Sequence, residues 1–169
     1  MGHQNQKLQR IIAIDPTTKG FGFAVMEGPE DLIDWGIKEV KDKKGVRCLQ
    51  QVVILINHYL PDVVVLEDYT STDSRRCYRV QKLIIDIIEL ATTRHVKTCC
   101  YSISQVKEVF SQFEAQTKHQ IAEAIAKSLP ELAPRLPPER KPWMPEDPRM
   151  SIFDAAAFGL TYFLYKKRL

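Results

Sequence analysis

The chain has 169 residues, a formal net charge of +3 at pH 7, 44% hydrophobic and 27% charged residues. That length fits one domain able to bury about 70% of its unfolded surface, and so small a net charge neither demands nor excludes a nucleic-acid partner. Cys48, Cys77, Cys99 and Cys100 lack Cys-x-x-Cys spacing, no apolar run reaches membrane-helix length and MGHQNQKLQR has no apolar signal segment, so the expectation is a cytoplasmic protein without structural zinc, disulfides or a membrane span.

The first element is Ile11 to Ile14, an unbroken apolar run suited to a strand covered on both faces. It stops at Asp15 and Pro16, which places a carboxylate at a strand end, although Asp-Pro taken alone reads as a turn. Thr17 to Gly20 supply turn chemistry, and Phe21, Phe23 and Val25 alternate with Gly22, Ala24 and Met26 as a returning strand. Its two glycines leave the surface beside Asp15 bare, open to a close-approaching backbone or bulky ligand. Ile33, Trp35 and Ile37 alternate with polar or small residues as a third antiparallel strand.

Val46, Leu49, Val53, Ile56 and Leu60 then recur at three and four residues, marking a helix that Pro61 ends. Val63 to Leu66 is a second continuous apolar run, again stopped by acids, Glu67 and Asp68. A strand reached through a helix from an earlier strand is most simply parallel to it, so the two acid-ended strands should finish at one edge. Asp73 to Arg94 reads as a helix with Arg75, Arg76, Arg79 and Lys82 in its first turns. Its later apolar stripe, Val80, Leu83, Ile84, Ile87, Ile88 and Ala91, is flanked by Ile85 and Leu90. That is more apolar surface than one sheet face uses, and suits either a wedged helix or a self-association surface.

Val96 to Tyr101 reads as a fifth strand, and the pairs Ser102/Gln105 and Thr117/Gln120 are capping boxes for two short helices. Pro130 to Pro148 holds seven of the ten prolines with Arg135, Arg140, Lys141 and Trp143, and reads as a long loop without regular structure. A last helix from about Ser151 to Lys166 is apolar nearly all round, with Asp154 as its one acid. Ser151 and Asp154 also stand at capping-box spacing, so the carboxylate has a purely local alternative role.

This order predicts one α/β domain over residues 1–169: a mixed five-stranded sheet, three antiparallel strands then two parallel, flanked by helices, with a proline-rich loop at about 130–148. The order is that of the RNase H-like fold. The segments IIAIDPTTKGFGFAV, VVVLEDY, VKEVFSQFEAQTKHQIAEAIA and FDAAAFGLTYFLYKK together resemble the RuvC type of Holliday-junction resolvase, from about Ile11 to Lys167.

The resemblance implies a nuclease whose metal ligands are Asp15, Glu67 and Asp154, with Lys107 and Lys118 facing the scissile region of DNA. It implies two Mg2+ or Mn2+ ions, branched DNA as substrate and a homodimer. Two-metal phosphodiester hydrolysis wants hard carboxylate oxygens converging on cations, one activating water and one stabilising the leaving oxygen. Arg75, Arg76, Arg79, Lys82, Tyr69 and Lys118 are the expected DNA contacts, Tyr69 as the aromatic just after the strand-end glutamate. Ser151 stands where the family carries an acid or histidine, so either another acid substitutes, Asp147 first with Glu146 and Asp68 as alternatives, or the second metal binds weakly. A catalytically weak or inactive DNA-binding module on the same fold is the second reading, favoured by Ser151. A sugar-kinase or actin-like ATPase ranks last, since that fold needs two such domains.

Overall fold

The computed structural model describes residues 9–166, apart from the side chain of Lys166. The apolar runs become a five-stranded sheet in the order β3-β2-β1-β4-β5. The strands are β1 (Ile11–Thr17), β2 (Gly20–Gly28), β3 (Asp31–Glu39), β4 (Val63–Glu67) and β5 (Lys97–Tyr101). The first three pair antiparallel, while β4 runs parallel to both β1 and β5. The helices are α1 (Lys44–Tyr59), α2 (Tyr78–Thr93), α3 (Ile103–Ser111), α4 (Lys118–Ser128) and α5 (Met150–Lys166).

Because strand side chains alternate faces, the sheet separates two cores. Ile12, Ile14, Val64 and Leu66 join α1 and α2 on one face. Ile11, Ala13, Val63 and Val65 join α3, α4 and α5 on the other. The same alternation sends Asp15 and Glu67 to the α5 face, each two residues beyond the last parallel pair, Ala13 and Val65. Both capping boxes form, at Ser102/Gln105 and Thr117/Gln120.

Three details depart from the sequence reading. Asp15 lies inside β1 rather than at its end, because antiparallel pairing with β2 continues to Thr17 after pairing with β4 has stopped. The helix expected from Asp73 begins only at Tyr78, so Arg75 and Arg76 sit on the loop before it, where no apolar period holds the backbone helical. The proline-rich segment contains a short 3-10 helix, Pro130–Arg135, which starts on a proline and tolerates Pro134 because so few amide donors are needed there. The apolar stripe of α2, by contrast, is buried within the chain as a wedged helix requires, with Val80, Leu83, Ile84, Ile87 and Ala91 inside and Ile85 on the exposed side.

Candidate active site

The close approach of α5 to the sheet starts at Gly22, which pairs with Asp15 across β1 and β2. A Cβ on Gly22 would lie 2.3 Å from the Ser151 carbonyl oxygen and 2.7 Å from its hydroxyl. Only glycine leaves room there, so the bare surface beside Asp15 is filled by the first turn of α5. Asp154 follows Ser151 by about one helical turn and is carried toward Asp15.

Asp15 and Glu67 are 1% and 2% exposed, whereas the Asp154 side chain keeps 19% of its surface. Buried carboxylates need compensation, and two cations provide it. The Arg76 guanidinium bridges Asp15 at 2.5 Å and Glu67 at 3.2 Å, and donates a third bond to the Pro16 carbonyl at 3.1 Å. One guanidinium thus reaches both strand carboxylates. The Ser74 hydroxyl donates to Glu67 at 2.8 Å. Lys118, in the first turn of α4, pairs with Asp154 at 3.0 Å and with Glu146.

Burial pushes the Asp15 carboxyl up against the pull of Arg76 and Lys118. Asp154 is pushed up to about 7, first by burial and then by the negative charge of Asp15. Burial draws Arg76 down most strongly, yet the charges of Asp15 and Glu67 outweigh it and leave its pKa above the ordinary value. The mutual effects of the three acids mark them as one electrostatic unit, held together by interposed cations.

Among the described residues no three histidines, cysteines or acids stand in a ready metal-binding arrangement. The donor set nevertheless suits a hard divalent cation: Asp15, Glu67 and Asp154 offer carboxylate oxygens where the chain already places positive charge. Asp15, Arg75, Arg76, Lys118, Ser151 and Asp154 line a cleft of about 420 Å³, with Glu67 beneath Arg76.

The remaining expected residues divide by position. Asp147 borders the cleft, but both its oxygens accept from Arg149, at 2.7 and 3.0 Å; Glu146 instead shares Lys118 with Asp154. Asp68 accepts from Thr70 in a local turn and does not line the cleft. Ser151 does not cap α5: it lies within the helix, is buried, and donates its hydroxyl to the Pro148 carbonyl at 2.9 Å. Asp154 therefore answers to Lys118 rather than to a capping box. Lys107, Arg79 and Lys82 are exposed and lie outside the cleft lining, Lys82 pairing with Asp86 at 2.9 Å. Tyr69 is half-buried against the α1 and α2 side of the sheet.

Sequence reasoning missed the inward turn of Arg76. Its loop is fixed at Asp73, which accepts from the Ser104 amide at 2.8 Å, and at Gln81, whose side-chain amide donates to the Arg76 carbonyl at 2.8 Å. No local pattern signals these contacts. Tyr78, 80% exposed, starts α2 next to the cleft residue Cys77.

No protein-family model matches the chain, and no curated protein matches it. Solved structures do. Thermus thermophilus RuvC aligns with a TM-score of 0.70 at 16% identity, covering 95% of this chain and 96% of that one. The same RuvC in complex with a Holliday junction substrate gives 0.68 at 18% identity, again covering 95% and 96%. The yeast mitochondrial Holliday junction resolvase gives 0.62 at 14%, covering 95% of this chain and 80% of that one. The fold is the RNase H-like fold in its RuvC form, over essentially the whole of the described chain.

Proposed function

We propose that the chain is a divalent-metal-dependent endodeoxyribonuclease of the junction-resolvase type, cleaving phosphodiester bonds in branched DNA. One observation carries the reading: on a RuvC-like fold, Asp15 and Asp154 line one cleft with Arg76 and Lys118, and Arg76 ties Glu67 to Asp15 just beneath it. Asp15, Glu67 and Asp154 would hold the metal, with Glu146 the nearest further carboxylate. Bound there, Mg2+ or Mn2+ supplies Lewis-acid stabilisation of the cleaved phosphate and lowers the pKa of the attacking water.

The chain's own residues do the rest. Once the carboxylates are satisfied, Arg76 and Lys118 are freed to hold the scissile phosphate, the guanidinium by paired donors and the ammonium as a point charge. Arg75, exposed on the cleft wall, and Arg79 beyond it extend that positive surface along the DNA backbone. A four-way junction presents two symmetric strands, so a two-fold dimer would place one site on each.

A second reading has its own support: Arg76 already pairs with one oxygen each of Asp15 and Glu67, so a metal would have to compete with it, which suits a DNA-binding module that has lost catalysis. Incubating the protein with a four-way junction and a matched linear duplex, in Mg2+, Mn2+ or chelator, separates the two. Metal-dependent nicking of the junction supports the nuclease. Junction binding without nicking at any metal concentration supports the module.

A further inference from the structure

The proline-rich arm between the 3-10 helix and α5 has a use that the carboxylate cleft does not account for. Leu136 packs on the core and Pro137 is buried, fixing one end of the arm, while buried Met150 fixes the other. Every residue from 138 to 146 is exposed. At the tip, Lys141-Pro142-Trp143-Met144 is a tight turn closed by the Met144 amide donating to the Lys141 carbonyl at 2.9 Å. Proline occupies the second position of this turn, where its fixed φ is favoured. Arg140 clasps the turn by donating from its guanidinium to the Met144 carbonyl at 2.9 Å.

Trp143 stands on this clasped turn at 77% exposure. The Lys141 ammonium lies 5.4 Å from the indole centroid, and the ring is otherwise open to solvent. An indole left in water on a stiffened turn loses little conformational freedom when it binds, so nearly all the contact energy is available to a partner. The arm returns directly to the catalytic cleft, since Glu146, Asp147 and Pro148 line it and Glu146 pairs with Lys118. Tyr69 has its ring half-buried against the core, so it offers less open aromatic surface than Trp143.

We infer that Trp143 is a stacking platform for an unpaired nucleobase at the branch point, with Arg140 and Lys141 holding the flanking phosphates. The inference rests on the branched-DNA reading. A flat apolar ring with two cations beside it on the same turn matches the closeness of base face and phosphate along a single strand. Paired bases inside a duplex have both faces covered, so the ring finds a partner only where pairing is interrupted. The arm would thus distinguish branched from linear DNA at a point just outside the cleft.

The test uses the full chain without metal, so that binding is read apart from cleavage. Trp35 and Trp143 are the two tryptophans, so Trp35→Phe leaves Trp143 as the sole indole reporter. Adding a single-stranded oligonucleotide or a four-way junction should quench that fluorescence, and a linear duplex should not. Trp143→Ala should weaken junction binding by about tenfold or more, with less than twofold change on linear duplex, and Trp143→Phe should recover most of the loss. Because the side chain is exposed, Trp143→Ala should melt with the parent. Unchanged junction affinity in Trp143→Ala, or equal losses on junction and duplex, would overturn the stacking role while leaving the nuclease reading intact. Unchanged DNA affinity with loss of self-association by light scattering would assign the ring to a protein contact instead, and also overturn it. A parent that binds neither junction nor single strand would overturn both readings.

Discussion

Gly22→Ala is the substitution that most directly probes how the site is assembled. The added methyl would stand 2.3 Å from the Ser151 carbonyl oxygen and 2.4 Å from its carbonyl carbon. Both are backbone atoms, so no side-chain rotation relieves the clash, and the first turn of α5 must withdraw by about 1 Å to reach ordinary contact. Overpacking of this kind costs about 1 to 3 kcal/mol, which for a chain of this size lowers the melting temperature by roughly 3 to 10 °C. The functional loss should exceed the loss of fold, because Asp154 moves with Ser151 away from Asp15, and a displacement of about 1 Å in a catalytic constellation costs on the order of 100-fold in rate. Gly45→Ala is the matched control: nothing lies within 4 Å of its added methyl and it sits in α1, so it should stabilise by about 0.5 to 1 kcal/mol and leave cleavage unchanged. The assay pairs thermal melts with single-turnover cleavage of a four-way junction. If Gly22→Ala cleaved within twofold of the parent and melted within a degree of it, α5 would not dock on β2 as described.

Other outcomes follow from the charge arrangement. Arg76→Ala removes the cation shared by Asp15 and Glu67, so in chelator it should lose about 3 kcal/mol, or roughly 10 °C. Added Mn2+ should raise its melting temperature more than that of the parent, because the metal no longer competes with the guanidinium; equal shifts would refute the competition. Tyr59 donates to Asp34, and its pKa is raised to about 12 by burial and then by that bond. The folded chain therefore holds the phenolic proton more tightly than the unfolded chain, and stability should fall as pH rises from about 10 to 12. Tyr59→Phe should flatten that decline in alkaline melts, and an unchanged slope would discount the bond. Light scattering at tens of micromolar with junction DNA should give a dimer, and a persistent 19.5 kDa monomer would remove the two-fold arrangement.

The sheet was legible because its strands are short apolar runs with abrupt ends, and the switch from period two to period 3.6 after β3 marks where the chain leaves it. Asp15 and Glu67 were legible as a pair for the same reason: each ends an apolar run, and the helix between them makes the runs parallel. Gly22 was legible as a point of close approach, but its occupant, the Ser151 backbone 129 residues onward, was not. Arg76 illustrates what local pattern omits. In sequence it is one of several arginines before an apolar stripe, and only the loop from 68 to 77, pinned by Asp73 and Gln81, turns it onto the carboxylates. Glu146 and Asp147 are neighbours, and the sequence reading that puts Asp147 first has no local pattern to separate them. The separation comes from Arg149, which takes Asp147, and from Lys118, 28 residues away, which takes Glu146.

The central claim, that Asp15, Glu67 and Asp154 act together as the metal-holding carboxylates of one nuclease site, is tested most directly by charge removal without loss of volume. Asp15→Asn, Glu67→Gln and Asp154→Asn should each reduce metal-dependent junction cleavage by at least 100-fold, on the order expected for loss of a group that stabilises the transition state. Junction affinity measured without metal should change little, since it rests on phosphate contacts made by other residues. Cleavage within twofold of the parent in any two of the three variants, at unchanged junction affinity, would place the chemistry elsewhere on the chain.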